Sequence, residues 1–265
     1  MLLACDIGNS SSVFGIFDTE GNIVKTFRVN TSSMACTKDL KQNFSKNFDL
    51  KGLNLKDIER VSISSVVPSV DRIYKDFFKK FKIDPLFISS KIKLNIRICA
   101  ENPEQLGSDR IANASYAHFV SQKFQIVVDL GTALTIDAVN EKGDFLGGII
   151  FPGVSKLAAC LHRSTEKLPL INISKNMEKP QSPVGTNTEM SIMSGVYYGT
   201  IFLIEGFIEN IRGYYNCDIN NLNVIFTGGY SGLIFDDTCI KAKKILDEYW
   251  MLKGIKYLYD LNNDM

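Results

Sequence analysis

Two acidic–glycine runs have residue types better suited to chemistry than to packing. The first is "DIGNSS" at 6–11, where an apolar strand stops at Asp6 and passes into Gly8, Asn9, Ser10, Ser11 and Ser12. A tight turn of small residues lets backbone N–H groups approach an anion that larger side chains would block. The donors would come from Gly8, Asn9 and Ser10, with hydroxyls helping. An aspartate repels phosphate, so Asp6 suits such a site only with a divalent cation between carboxylate and phosphate, usually Mg²⁺ keeping its waters. An anion cradle beside a cation anchor is what a nucleoside triphosphate needs. The alternative is a hairpin with an Asx-type turn, in which Asp6 hydrogen-bonds only backbone.

The second run, "DLGTALT" at 129–135, repeats the design. Each run leads to a second strand and then a turn with a central glycine (Gly21, Gly143), one half being a residue shorter. Two copies argue for a duplicated α/β domain, and two facing hairpins can clamp a polyphosphate from both sides. Between them lies "NPEQLGSDR" (102–110), where Asp109 and Arg110 begin a helix, so that the carboxylate feels the field of the helix N-terminus. An aspartate near an acceptor hydroxyl can take its proton as phosphate transfers. The alternative makes Asp109 a cap residue and pairs Arg110 with a surface carboxylate. Neither G-x-x-x-x-G-K-[ST] nor a G-x-G-x-x-G after either strand occurs.

The elements that must position these residues alternate. Strands are expected over 2–7, 13–17, 23–29, 60–68 (stopped by Pro68), 85–89, 125–129, 133–139, 145–153 and 223–229. Helices are expected over 37–50, with Leu40, Phe44 and Phe48 on one face; 69–81, capped by Ser69; from Asp109 to about 120; 189–212; and about 238–252, with Ile240, Ile245, Leu246 and Trp250 inward. The polar run 174–188 reads as a loop. This alternation implies α/β sheets, and 265 residues suit two domains, 1–117 and 118–265.

Thirty basic against 29 acidic residues leave a formal charge of +1, which argues against a broad nucleic-acid surface. Six cysteines without a C-x-x-C pair read as reduced, mostly buried thiols. Asp6 interrupts the N-terminal apolar run too early for a signal peptide, and "VYYGTIFLIEGFI" (196–208) is short for a membrane span and carries Glu205. A cytoplasmic protein without membrane or nucleic-acid partners is expected. His118 and His162 lie in no metal-ligand spacing.

The repeated hairpins, with "VIFTGGYSG" at 224–232, resemble the actin-like superfamily of sugar kinases, acetate kinases and chaperone ATPases. There, two ribonuclease-H-like domains hold ATP in the cleft between them. "DIGNS", "NPEQLGSDR", "DLGTALT", "GGIIFPG" (147–153), "GTNT" (185–188) and "TGGY" (227–230) come in the order and spacing of type III pantothenate kinases. That resemblance implies phosphorylation of pantothenate by ATP, with Mg²⁺ and K⁺ or NH₄⁺, in a homodimer whose interface lies near "GVYYGTIFLIEGFIENI" (195–211).

By the same resemblance, Asp6, Ile7, Gly8, Asn9, Ser10, Ser11, Ser12 and Val13 would contact the ATP phosphates, Asp6 through water-bound Mg²⁺. Thr132 would touch ATP and Asp129 would ligate K⁺. Gly107, Ser108, Asp109, Arg110 and Thr188 would bind pantothenate, Asp109 being the general base; Thr188 could instead be a helix N-cap. Ala100 stands where many members carry a tyrosine that contacts pantothenate. Two other readings stay open: a non-enzymatic ATP-responsive regulator or accessory factor, and a kinase for another small hydroxy-acid or sugar.

Overall fold

The structure is a computed structural model and describes residues 1–34, 36–49 and 54–263. In chain order its elements are β1 (Leu2–Ile7), β2 (Ser11–Phe17), β3 (Ile23–Asn30), a 3-10 turn (Thr31–Met34), α1 (Thr37–Asp49), β4 (Arg60–Ser65), α2 (Pro68–Lys79), β5 (Leu86–Phe87) and β6 (Arg97–Ile98). There follow α3 (Ser108–Val120), β7 (Phe124–Leu130), β8 (Ala133–Val139), β9 (Asp144–Pro152), α4 (Val154–Arg163), α5 (Thr188–Tyr214), β10 (Leu222–Thr227), α6 (Ser231–Ile234), β11 (Lys243–Leu246) and α7 (Trp250–Asn262).

Two compact units share the chain. One gathers Met1–Asn95, Glu101–Tyr116 and Met251–Met265; the other gathers Ile96–Ala100 and Ala117–Trp250. The single cut after residue 117 is thus replaced by an interleaved division in which α7 returns to the first unit.

The first sheet has the order β3-β2-β1-β4-β5, antiparallel across β1–β2 and β2–β3 and parallel across β1–β4 and β4–β5. The second repeats it as β9-β8-β7-β10-β11 with the same directions, and adds β6 parallel to β9. The repetition extends to detail. In the β2–β3 turn, Asp18 Oδ1 accepts the N–H of Glu20 and Asn22; in the β8–β9 turn, Asn140 Oδ1 accepts the N–H of Lys142 and Asp144. Gly21 and Gly143 occupy the left-handed position of these turns (φ 89° and 80°). These are two ribonuclease-H-like halves of mixed α/β type.

Alternation along the first sheet decides which helix covers which face. Leu3, Cys5, Ile7, Phe14 and Ile16 meet Leu40, Phe44 and Phe48 of α1 and Tyr74, Phe77 and Phe78 of α2, as the four-residue spacing on α1 predicts. The other face carries small residues, Ala4, Gly15, Ser62 and Ser64, so α3 and α7 approach closely. A Cβ at Gly15 would lie 2.9 Å from Leu252 Cδ1, and Ser62 Oγ donates to Ile255 O at 3.4 Å. In the second unit, Val154 and Ala158 of α4 and Ile192, Val196, Ile201, Ile204 and Ile208 of α5 cover β7, β8 and β10.

Several expectations change. Leu50, expected to end α1, lies outside the described residues. Strand 60–68 ends at Ser65, and Pro68 opens α2 at its first turn, where a missing N–H costs nothing; Ser69 is therefore inside the helix, not its cap. The helix expected over 238–252 is instead β11, whose Ile245 and Leu246 pair with Ile225 and Phe226, followed by α7. The six cysteines are free, but only Cys5 and Cys217 are buried. The apolar run 196–208 belongs to a 27-residue helix, α5, long and apolar enough by length and composition to cross a membrane; its inner face is part of the second unit's core.

Gly254 is where α7 meets α3: a Cβ there would fall on Ala112 O and lie 3.4 Å from Tyr116 Cβ. Gly254→Ala should therefore lower stability by about 1–3 kcal/mol, read as a lower urea midpoint with unchanged m-value. An unchanged midpoint would refute this packing.

Candidate active site

Asp6 is the penultimate residue of β1, flanked across the ladders by Val13 and Ser64. The turn beyond it holds three residues, Gly8 to Ser10, and Gly8 N–H closes it by donating to Ser11 O at 3.2 Å. Because β2 already begins at Ser11, not every residue of the expected phosphate segment faces outward. Asn9 and Ser10 are exposed, and Ser11 Oγ accepts from the Arg28 guanidinium at 2.7 Å. Ile7 is packed in the core, and the Ser12 hydroxyl is fully buried against Thr31 Oγ1 at 3.0 Å. The side chains of Ile7 and Ser12 are thus supports rather than contacts, because strand alternation turns both toward α1 and α2. Val13 is half-buried beside Asp6. Arg28 went unnoticed in the sequence because nothing local marks one arginine of a strand.

The 102–110 segment is brought to this same end of the first sheet. Ser108 starts α3, and its hydroxyl lies 2.9 Å from Ser64 Oγ and donates to Ser65 O at 3.0 Å. Ser64 is the ladder partner of Asp6, so Asp109, one residue along, stands on the same face and end of the sheet as Asp6. Val66 N–H donates to Ile7 O at 3.1 Å, tying the next residue into the corner. Gly107 makes room for the carboxylate: a Cβ there would fall on Asp109 Oδ1, with Val66 Cγ1 3.7 Å away. Asp109 Oδ1 accepts from Arg110 N–H at 2.8 Å. Burial pushes the Asp109 carboxyl above its ordinary value, against the opposing pull of that N–H and of the Arg110 charge. Ser108 is thus committed to the fold, not exposed for a ligand. The role of Ser64 was legible only as a hydroxyl recurring at i and i+2 on a strand face.

The second unit builds a related corner. Asp129 pairs with Thr135 and Thr227, and its turn holds only Gly131 and Thr132, closed by Gly131 N–H donating to Ala133 O at 2.9 Å. Gly228 presses on this turn with φ 88°; a Cβ there would strike Asp129 Oδ1 and lie 2.7 Å from Leu130 N. Tyr230 N–H donates to Leu130 O at 3.0 Å. Gly228, the first glycine of "TGGY", therefore serves contact with the aspartate hairpin. Thr227 Oγ1, buried next to Asp129, has no hydrogen-bond partner.

Thr188 is the exposed first residue of α5; the cap is Asn187, whose Oδ1 accepts Met190 N–H at 2.8 Å. Thr188 borders an apolar groove of about 420 Å³ between α4 and α5. His162 Nδ1 lies 2.8 Å from Leu168 O. Among the described residues no three His, Cys, Asp or Glu side chains converge as a metal site. Single carboxylates at strand ends suit cations that take their remaining ligands from phosphate and water, and the orphaned Thr227 hydroxyl beside Asp129 is a further oxygen donor.

The sequence profile of the type III pantothenate kinases matches residues 2–210, and the type III pantothenate kinase of Sulfurihydrogenibium sp. is 36% identical over 97% of this chain and 99% of its own length. The chain belongs to the type III pantothenate kinases. It is an ATP-dependent phosphotransferase that converts pantothenate to 4'-phosphopantothenate, the first step of coenzyme A synthesis, using ATP with a divalent metal. Among solved structures, a conserved putative Baf family transcriptional activator from Campylobacter jejuni superposes with a TM-score of 0.61 at 19% identity, covering 99% of this chain and 100% of its own. A putative 2-dehydro-3-deoxygalactonokinase from Sinorhizobium meliloti gives 0.60 at 10% identity, covering 98% and 96%. These likenesses are of fold alone. Ala100 is half-buried and brings no hydroxyl.

A carboxyl whose pKa is raised on folding costs stability once pH exceeds its unfolded value, and the cost is complete above the folded one. Asp109→Asn should thus raise the melting temperature at pH 7–8, with the gain shrinking as pH falls toward 4. A gain independent of pH would mean that charge burial is not its source.

Proposed function

We propose that Asp109 is the general base of pantothenate phosphorylation and that the Asp6 hairpin receives the ATP phosphates. The observation that carries this reading is the Ser64 link: Asp6 is the ladder partner of Ser64, and Ser64 meets Ser108 at 2.9 Å. The primary hydroxyl of pantothenate attacks the γ-phosphorus; its proton passes to an Asp109 carboxylate oxygen, the new O–P bond forms, and the bond from phosphorus to the β–γ bridging oxygen breaks, releasing ADP. Burial of Asp109 supports this role because a base nearer the working pH takes a proton more readily. Gly107, Ser108 and Arg110 shape the pantothenate end, with Thr188 contributing to substrate binding.

Gly8, Asn9 and Ser10 offer N–H groups to the phosphates, with Ser11 and its Arg28 partner beside them, and Asp6 holds Mg²⁺ through water. Asp129 ligates K⁺ or NH₄⁺, which offsets repulsion between this carboxylate and the phosphates, and Thr132 touches ATP. A homodimer acting in the cytoplasm completes the reading. An ATP-responsive regulator or a kinase for another hydroxy-acid has no specific observation in its favour.

Purified protein with ATP, Mg²⁺ and K⁺ should phosphorylate pantothenate, and Asp109→Asn should lower kcat by roughly 10²–10⁴-fold with the fold intact. In the parent, kcat/KM should fall on acidification through a pKa above the ordinary aspartate value of 3.8. Asp129→Asn should abolish the response to K⁺. Retained turnover in Asp109→Asn would remove the base assignment.

A further inference from the structure

In both units the residue directly after the third strand of the sheet grips the hairpin turn. In the second unit it is Gly153, whose N–H donates to Thr132 O at 3.1 Å; in the first it is Thr31, whose N–H donates to Ser10 O at 3.2 Å. Each holds the last residue of its turn. They differ in the space over the turn's first residue. A Cβ at 153 would fall on Gly131 O and stand 2.7 Å from Thr132 O, so the two-residue turn admits no side chain there. The three-residue turn of the first unit leaves that room, and Thr31 fills it. Its Oγ1 donates to Gly8 O at 2.6 Å and accepts from Ser12 Oγ at 3.0 Å. Thr31 and Ser12 are both buried.

We infer that Thr31 is a positioning residue for the nucleotide. In a planar trans peptide the C=O and the following N–H point in opposite directions. By drawing the Gly8 carbonyl inward, Thr31 turns the Asn9 N–H outward, and its own N–H fixes the far end of the same turn through Ser10 O. Without the hydroxyl, the Gly8 carbonyl loses its inner partner, so the turn can rotate and the donor loses its aim. The inference rests on the reading that this turn cradles the ATP phosphates.

Thr31→Val keeps the side-chain shape and removes the hydroxyl; Thr31→Ser keeps the hydroxyl. Steady-state kinetics of the full-length enzyme should show KM for ATP at least fivefold higher in Thr31→Val, KM for pantothenate within twofold of the parent, and Thr31→Ser restored to within twofold for both. If Thr31→Val folds poorly, Thr31→Cys, a weaker donor of similar size, should give an intermediate KM for ATP. An unchanged KM for ATP in Thr31→Val, or equal rises in both KM values, overturns the inference. Asp6→Asn run alongside separates the two failures: if it too leaves KM for ATP unchanged, the phosphate reading of the hairpin falls; if it alone raises KM, only the role of Thr31 does.

Discussion

The geometry of the first unit hangs on one buried contact, the Ser64–Ser108 hydroxyl pair at 2.9 Å. Ser64 sits on a central strand, in register with Asp6, and Ser108 is the first residue of α3. The pair, with the Ser108 donation to Ser65 O, fixes where α3 begins relative to the sheet. Two hydroxyls buried between a strand and the helix that covers it would be costly if unpaired, so satisfying them and placing Asp109 are the same event. A helix start held only by apolar packing could slide or tilt by an ångström, and phosphoryl transfer tolerates such misplacement poorly.

The small residues on that face follow from the same need. α3 and α7 must lie close to the sheet for Ser64 to reach the Ser108 hydroxyl and Ser62 to reach the Ile255 carbonyl. Ala4, Gly15 and Ser62 under α7, and Gly254 between the two helices, remove the bulk that would hold them off. The opposite face shows the contrasting solution. Phe14, Phe27, Phe44 and Phe48 form an edge-to-face and stacked cluster with centroids 4.8–6.1 Å apart, which supplies apolar burial without having to aim any group. One face of the sheet carries stability and the other carries position.

Much of this was legible in the sequence, for identifiable reasons. The hairpins announced themselves because strands that end in aspartate and glycine break the apolar pattern, and the duplication could be aligned from Asp6–Gly8 and Asp129–Gly131. Leu40, Phe44 and Phe48 gave α1 its buried face. What escaped depended on contacts between distant segments. Ser12 looked like part of a polar turn, yet β2 starts a residue earlier and alternation turns it inward. Ile245 and Leu246 fit a helical face as well as a short strand, and only pairing with β10 decides between them. The return of α7 to the first unit left no local signal, since it depends on small residues far earlier in the chain, such as Gly15 and Ser62.

The two halves also show how one topology accommodates different demands. Both hairpins present an aspartate one residue before the strand ends, and both are closed by the N–H of the turn's glycine. The second is a residue shorter and is pressed from two sides by glycines, Gly153 and Gly228, leaving a carboxylate against bare backbone and a buried threonine hydroxyl beside it. Such a corner offers oxygen ligands at short range. The first hairpin is longer, carries exposed Asn9 and Ser10, and has Arg28 alongside; it offers N–H donors and positive charge. Starting from the same fold, one added turn residue shifts the corner from a place suited to cations toward one suited to anions, because the added peptide supplies another donor and the room for a side chain beneath it.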